Sequence, residues 1–224
     1  MPGTIRVMLE LGPKRKKVVA HAPDWPGLER GATTEAEAIA RLESYLPRYA
    51  VVAAGAPLAG TFSPAATPEV VARYEGTGST DFWGISFGFS PADREPMSDA
   101  ELERALALVQ SAWGVFDVVR ARVSETLQKG PRGGGRDRDQ IVRHVLLNEA
   151  DWATKVGVRV APESLADEAG IAAYRRAYLD AVRVRHAEGG MARTWPLPYL
   201  IRHTAYHTLD HAWEMEDKDL TPSS

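Results

Sequence analysis

The chain has no cysteine, and this absence narrows the chemistry open to its 224 residues. Without cysteine there is no disulfide, no thiolate metal ligand and no cysteine nucleophile. A transition-metal site in this chain must therefore use imidazole and carboxylate groups, a ligand set that suits zinc, nickel, iron or copper.

The chain also lacks a strong charge of one sign and any long apolar run. Its 27 Lys and Arg residues against 30 Asp and Glu residues leave a net charge of -3, which gives no general attraction to nucleic acid or to an anionic membrane. No apolar stretch is long enough to span a bilayer, and the N-terminus lacks the apolar region of a signal peptide. We therefore expect a cytoplasmic protein that binds neither nucleic acid nor membrane.

The pattern of the chain changes near Pro96. Before it, short apolar runs are broken by Gly and Pro, which is typical of a small sheet with one helix. That helix is predicted from the N-cap Thr34, with Glu37 completing a capping box, to about Tyr49. The strands are predicted at 5–11, 17–22, 51–54, 69–74 and 82–89, with the first two forming a hairpin.

After Pro96 the sequence consists of long runs with helical spacing, separated by short loops. The first of these helical runs begins at a capping box of Ser98 and Glu101. We therefore predict an α+β chain of two domains, a small sheet-and-helix domain over 1–96 and an up-and-down four-helix bundle over 97–224. The four helices are predicted at about 98–127, 137–156, 168–188 and 194–217.

Half of the six histidines lie within nine residues, at His203, His207 and His211. Neighbours four residues apart share one face of a helix. Each such step turns the side-chain direction by roughly 40°, so the outer two diverge by roughly 80° and one straight helix does not easily supply all three. One adjacent pair, joined by His144 from the second helical run, gives three nitrogen ligands and leaves a coordination position open for water or substrate.

Polar residues close to these histidines have further candidate roles. Asn148 and Glu149 follow His144, and Glu214 follows His211. Such groups orient a ligating imidazole in many metal sites. If the protein is an enzyme, Glu149 or Glu214 is the candidate general base.

From about Ser98 to Lys218 the chain resembles the DinB-like (YfiT-like) superfamily of metal-binding four-helix bundles. The resemblance is carried by His144 with the following Glu149, and by His207 and His211 in the last helix. Members typically read His-x-x-x-His-Arg-Gly-Gln there, often with another histidine four residues upstream. Here Ala-Trp-Glu replaces Arg-Gly-Gln, so the role of those three family residues is not carried over.

This resemblance implies a divalent metal, zinc or nickel, held by His144, His207 and His211, with His203 as an alternative ligand. It also implies hydrolysis or thiol-group transfer on an unknown small-molecule substrate. The ion would activate a bound water or ligate a substrate thiolate. Bundles of this type often pair through their helix faces, so a homodimer is also expected.

From about Ile5 to Tyr49 the chain resembles HicB-like antitoxin domains, which are small β-sheets carrying a helix. The resemblance is carried by Ala-Pro-Asp-Trp-Pro-Gly at 22–27 and by Gly-Ala-Thr-Thr at 31–34 with Glu37 and Ala38. In toxin–antitoxin pairs such a domain binds a small RNase, so the resemblance implies a protein partner. The sequence marks no separate DNA-binding module, which favours a packing, dimerisation or regulatory module fused to the bundle over a full antitoxin. The alternative function is therefore a non-catalytic regulatory or binding protein whose metal braces the bundle.

Overall fold

The N-terminal part of the chain forms a four-stranded sheet in the computed structural model, which describes residues 3–131 and 133–222. β1 (Thr4–Leu11) and β2 (Val18–His21) make the predicted antiparallel hairpin. β3 (Glu29–Ala32) pairs antiparallel with β2, and β4 (Thr67–Glu75) runs parallel to β1, which gives the order β3-β2-β1-β4. β3 was not predicted, because Glu-Arg-Gly-Ala has none of the β-branched or aromatic residues typical of strands.

Two helices follow β3, where the sequence predicts one helix and a strand. α1 (Glu35–Ser44) begins at the predicted N-cap Thr34, and α2 (Leu46–Gly55) follows after a break at Tyr45. The predicted strand at 51–54 is wrong, because these residues lie in α2. The helix buries a stripe at helical spacing, and burying that stripe outweighs the strand preference of the two valines. The stripe consists of Leu46, Tyr49, Val52 and Ala53.

The predicted strand at 82–89 is also wrong. A short helix, α3 (Gly78–Trp83), begins at Thr77 and ends at Gly84, which takes the left-handed φ of 70° that glycine tolerates best. The following backbone N–H groups of Phe87 and Gly88 donate to the buried Glu10 carboxylate, each at 3.0 Å, instead of to a neighbouring strand. Phe82 and Trp83, the last two residues of α3, are 72% and 63% exposed.

Four longer helices form the C-terminal part, close to their predicted bounds. They are α4 (Asp99–Arg122), α5 (Arg138–Ala153), α6 (Glu168–Ala187) and α7 (Leu197–Asp217). The predicted capping box of Ser98 and Glu101 is present at the start of α4. Within the described ranges, no helix is long and apolar enough to cross a membrane.

The four helices do not alternate in direction, so the up-and-down prediction is wrong. α5 and α6 both run opposite to α4, and α7 runs parallel to α4. For α4 and α6 the contacting pairs are Glu103 with Arg183 and Arg120 with Glu168. For α4 and α5 they are Trp113 with Glu149 and Val123 with Arg138. For α5 and α7 they are His144 with His211 and Trp152 with His203, and for α4 and α7 the pair is Arg122 with Glu216. The segment 154–167 therefore returns along the bundle before α6 begins. Extended chain covers about 3.3 Å per residue, so this segment is long enough to do so.

The mixed α+β composition is confirmed, but the buried side chains on the two sides of Pro96 form one continuous hydrophobic core. At the junction, the Tyr45 and Trp213 rings lie 5.2 Å apart. Gly27 approaches α7 so closely that a Cβ there would lie 2.8 Å from Leu209, and its φ of 94° also favours glycine. A division into two domains stays a prediction.

A buried arginine joins the sheet to α7. Arg202 is only 6% exposed. Its Nε and Nη2 groups each donate to Asp93 at 2.8 Å, and its Nη1 group donates to Glu29 at 3.2 Å and to Ser86 Oγ at 2.9 Å. The Ser86 hydroxyl donates in turn to Glu10 at 2.5 Å. The residue that precedes His203 is thus anchored by groups from the N-terminal part of the chain.

Candidate metal centre

Three imidazoles converge between α5 and α7. One nitrogen each from His144, His207 and His211 lies within 4.8 Å of the other two, and the Nε2 atoms of His144 and His207 are 3.2 Å apart. Zinc–nitrogen bonds of about 2.0–2.1 Å in a tetrahedral shell place two ligating nitrogens about 3.3 Å apart. The structure therefore brings together an adjacent histidine pair of α7 with His144, as the spacing predicts, and the pair is the one that the resemblance implies; the nitrogens of His144 and His207 are already at ligand spacing.

The relative position of α5 and α7 at this site is fixed by Glu149, which is 1% exposed. Its carboxylate accepts from Trp113 Nε1 of α4 at 3.2 Å and from Thr208 Oγ1 of α7 at 2.5 Å. Burial raises the pKa of Glu149 to about 7. Glu149 lies five residues beyond His144 on α5, and Thr208 adjoins His207 on α7, so this bridge holds the two ligands opposite each other.

His211 is oriented by Glu214, one turn further along α7. The Nδ1 group of His211 lies 2.7 Å from Oε2 of Glu214, and Lys218 Nζ donates to Oε1 at 2.6 Å. The hydrogen bond from His211 lowers the pKa of Glu214 to about 2. An ionised carboxylate accepts the Nδ1 proton, which leaves the Nε2 lone pair of His211 free to bind a metal.

His144 is held in a different way. The Nδ2 group of Asn148 lies 3.1 Å from His144 Nδ1 and donates at 2.7 Å to the His144 carbonyl oxygen. If the Asn148 Nδ2 group donates to the ring, His144 Nδ1 is the acceptor and carries no proton. The proton of the neutral His144 ring is then on Nε2, where it points to His207. Metal binding through Nε2 requires this proton on Nδ1, so the Asn148 amide must then turn its oxygen toward the ring.

The site favours neutral imidazoles, which are the form that binds metal. Burial lowers the pKa of His144 to about 4, with the charges of His211 and Arg136 adding to the effect. Burial likewise lowers the pKa of His207 well below its usual value, and nearby histidines add to this. His207 Nδ1 is buried and has no hydrogen-bond partner within the described ranges. The donor set therefore fits a divalent transition metal.

His203, the alternative ligand, lies outside this group of three. Its ring stacks on Tyr199 at 5.2 Å with an interplanar angle of 16°, and it contacts Trp152 at 4.6 Å. Burial lowers its pKa to about 3. The sequence reasoning did not single out Trp152, which lies eight residues after His144 on α5 and contacts both His203 and His207.

When the chain is compared with protein-family models, with curated proteins and with solved structures, none of them matches. The DinB-like and HicB-like resemblances therefore rest on the quoted motifs alone.

Proposed function

We propose that this chain binds one divalent metal ion, zinc or nickel, through His144, His207 and His211, and acts as a metal-dependent hydrolase or thiol-group transferase. The observation that carries the proposal is the convergence of three imidazole nitrogens within 4.8 Å. Imidazole suits both metals. This is also the ligand set that the DinB-like resemblance implies.

An open site supports a catalytic role over a structural one. All three histidines are half-buried, so the site is not sealed from solvent. No fourth ligating group joins these three within the described ranges. Structural zinc sites are usually closed by four protein ligands, whereas catalytic sites keep a position for water or substrate. When bound, a divalent ion would lower the pKa of a water or thiol at that position, or polarise an electrophile.

The two carboxylates have supporting roles in this proposal. Both oxygens of Glu214 are already hydrogen-bonded, to His211 and to Lys218, so we propose that Glu214 orients the His211 ring. Glu149 is committed to Trp113 and Thr208 and fixes the helices. The general-base role predicted for either residue would require one of these bonds to break.

Elemental analysis of the purified protein tests the metal site. After incubation with zinc or nickel and dialysis, we expect one ion per chain, and we expect His144→Ala, His207→Ala and His211→Ala each to lose it. His186→Ala, where the ring pairs with Asp99 of α4 away from the three candidate ligands, and His203→Gln are matched controls that should keep it. A wild-type protein without stoichiometric metal, or a His207→Ala variant that binds as much as wild type, would contradict the proposal.

Activity is then measured on metal-loaded protein, with an activated ester for hydrolysis and with a thiol plus an electrophilic acceptor for transfer. The His211→Ala variant serves as the blank in both assays. Turnover in neither assay, with metal bound, would favour the non-catalytic alternative.

A further inference from the structure

A continuous row of rings leads away from the candidate metal centre. Trp195, just before α7, lies 4.9 Å from the Tyr199 ring, and the Tyr199 ring lies 5.2 Å from the His203 ring. From α5, the Trp152 ring lies 4.6 Å from the His203 ring and 4.9 Å from the His207 ring. An aromatic wall therefore begins directly at a metal-ligating residue.

The two tryptophans form the accessible part of this wall, whereas Tyr199 and His203 are buried. Trp152 and Trp195 are only half-buried. His203 is 3% exposed, yet its buried Nδ1 atom has no hydrogen-bond partner within the described ranges. A buried polar atom without a partner is costly. A polar group on a bound molecule would supply the missing hydrogen bond.

The charges around the row favour a negatively charged molecule. Lys155 Nζ lies 4.2 Å from the centre of the Trp195 ring, at one end of the row. At the other end, the carboxylate of Glu214 is paired with Lys218, and a bound divalent ion would itself attract an anion.

We propose that the substrate is a small aromatic anion whose charged group binds at the metal and whose ring lies against Trp152. This inference rests on the proposed metal function. It deepens that function by naming the chemical class of the substrate. Trp152 supplies the ring contact, and His203 supplies a hydrogen-bonding nitrogen within the wall.

Two hydroxamates that differ only in the group beside the metal-binding head provide the test. Benzohydroxamate carries a phenyl ring and acetohydroxamate a methyl group. Their affinities for zinc-loaded protein are measured by isothermal titration calorimetry. Aromatic contacts of this kind correspond to about a 3- to 10-fold gain in affinity, so we expect benzohydroxamate to bind tighter by at least that factor.

The preference is expected to depend on Trp152. Trp152→Leu should reduce the preference to less than about twofold, whereas Trp152→Phe should keep most of it. Trp83→Leu, an exposed tryptophan on α3, is the matched control and should leave it unchanged. Zinc content and circular dichroism are recorded for every variant.

The outcomes separate the two proposals. Equal affinities of the two hydroxamates for zinc-loaded wild type, or an equal loss of both in Trp152→Leu, would overturn the aromatic substrate and leave the metal site standing. Absence of bound zinc in wild type would overturn the proposed function, and this inference with it.

Discussion

Replacing Glu149 by glutamine tests the role of the buried carboxylate that holds the metal-binding helices together. Both oxygens accept hydrogen bonds, from Trp113 and from Thr208. In the variant, the glutamine oxygen can accept from Trp113 while its NH2 group donates to Thr208 Oγ1. The Thr208 hydroxyl can then donate to the Thr204 carbonyl, which is already 2.9 Å away. Glutamine therefore mimics the protonated acid without an ionisable group.

The magnitude follows from the pKa of Glu149, which burial raises from its ordinary 4.5 to about 7. The folded state binds the proton of the Glu149 carboxyl group more tightly than the unfolded state does. The stability that this protonation contributes is therefore complete below pH 4.5 and is lost as the pH rises through about 7. At about 1.4 kcal/mol per pH unit, the full effect is roughly 3 kcal/mol. Between about pH 5 and pH 8, wild type should lose roughly 2–3 kcal/mol relative to Glu149→Gln.

Urea unfolding at several pH values between 5 and 8, with a chelator present to remove metal, measures this difference. Glu43→Gln, on the exposed face of α1, is the control and should track wild type. Some pH dependence remains in Glu149→Gln, because burial also raises the pKa of Glu29. If the difference between wild type and Glu149→Gln stays constant over this range, the reasoning about the buried carboxylate is refuted.

Two further predictions concern the surroundings of the site. Asn148→Asp places a carboxylate beside His144 Nδ1, which favours the proton on Nδ1 and frees Nε2, so zinc affinity measured by chelator competition should rise about 10-fold. Arg202→Met leaves the buried Asp93 and Glu29 carboxylates without their cation, which should cost about 3–5 kcal/mol and lower the Tm by about 10 °C in a thermal melt.

Each of these has a clear contrary result. Asn148→Leu removes the amide altogether, so an aspartate variant that binds zinc no more tightly than the leucine variant would contradict the proton argument. An Arg202→Met protein that melts with wild type would show that the arginine does not hold the sheet to α7. Arg122→Met, at an exposed ion pair, is the control for the second test and should change the Tm little.

Part of the metal-ligand trio was predictable because its information is local. The four-residue spacing places each adjacent pair among His203, His207 and His211 on one face of α7, and the 40° argument requires a partner from another helix. The choice of His207 and His211 over His203 and His207 came from the DinB-like resemblance. His144 was the isolated histidine in a helical run, and it supplies that partner. Capping residues such as Thr34 and Ser98 also act within a few residues, so the helix starts were predicted well.

The errors arose where distant residues decide the local structure. The segment 82–89 has the composition of a strand, but Glu10 takes the hydrogen bonds of its backbone, and that carboxylate is more than 70 positions away in the chain. The direction of α6 depends on the path of 154–167, for which the local pattern gives no sign. The partners of Arg202 come from three separated segments, so its buried position could not be read from the spacing of α7.

The arginine contacts across the junction limit what protein engineering can do with the metal-binding half. A fragment that starts after Pro96 would lose Asp93, Glu29 and Ser86, the partners of Arg202. It would also expose to water the apolar α7 side chains that contact the preceding segment, among them Leu209 and Trp213. The fragment would also lack Arg30 and Arg48, which form ion pairs with acidic residues of α7. Truncation, circular permutation or grafting of the bundle onto another protein must therefore carry the preceding segment along as a folding partner.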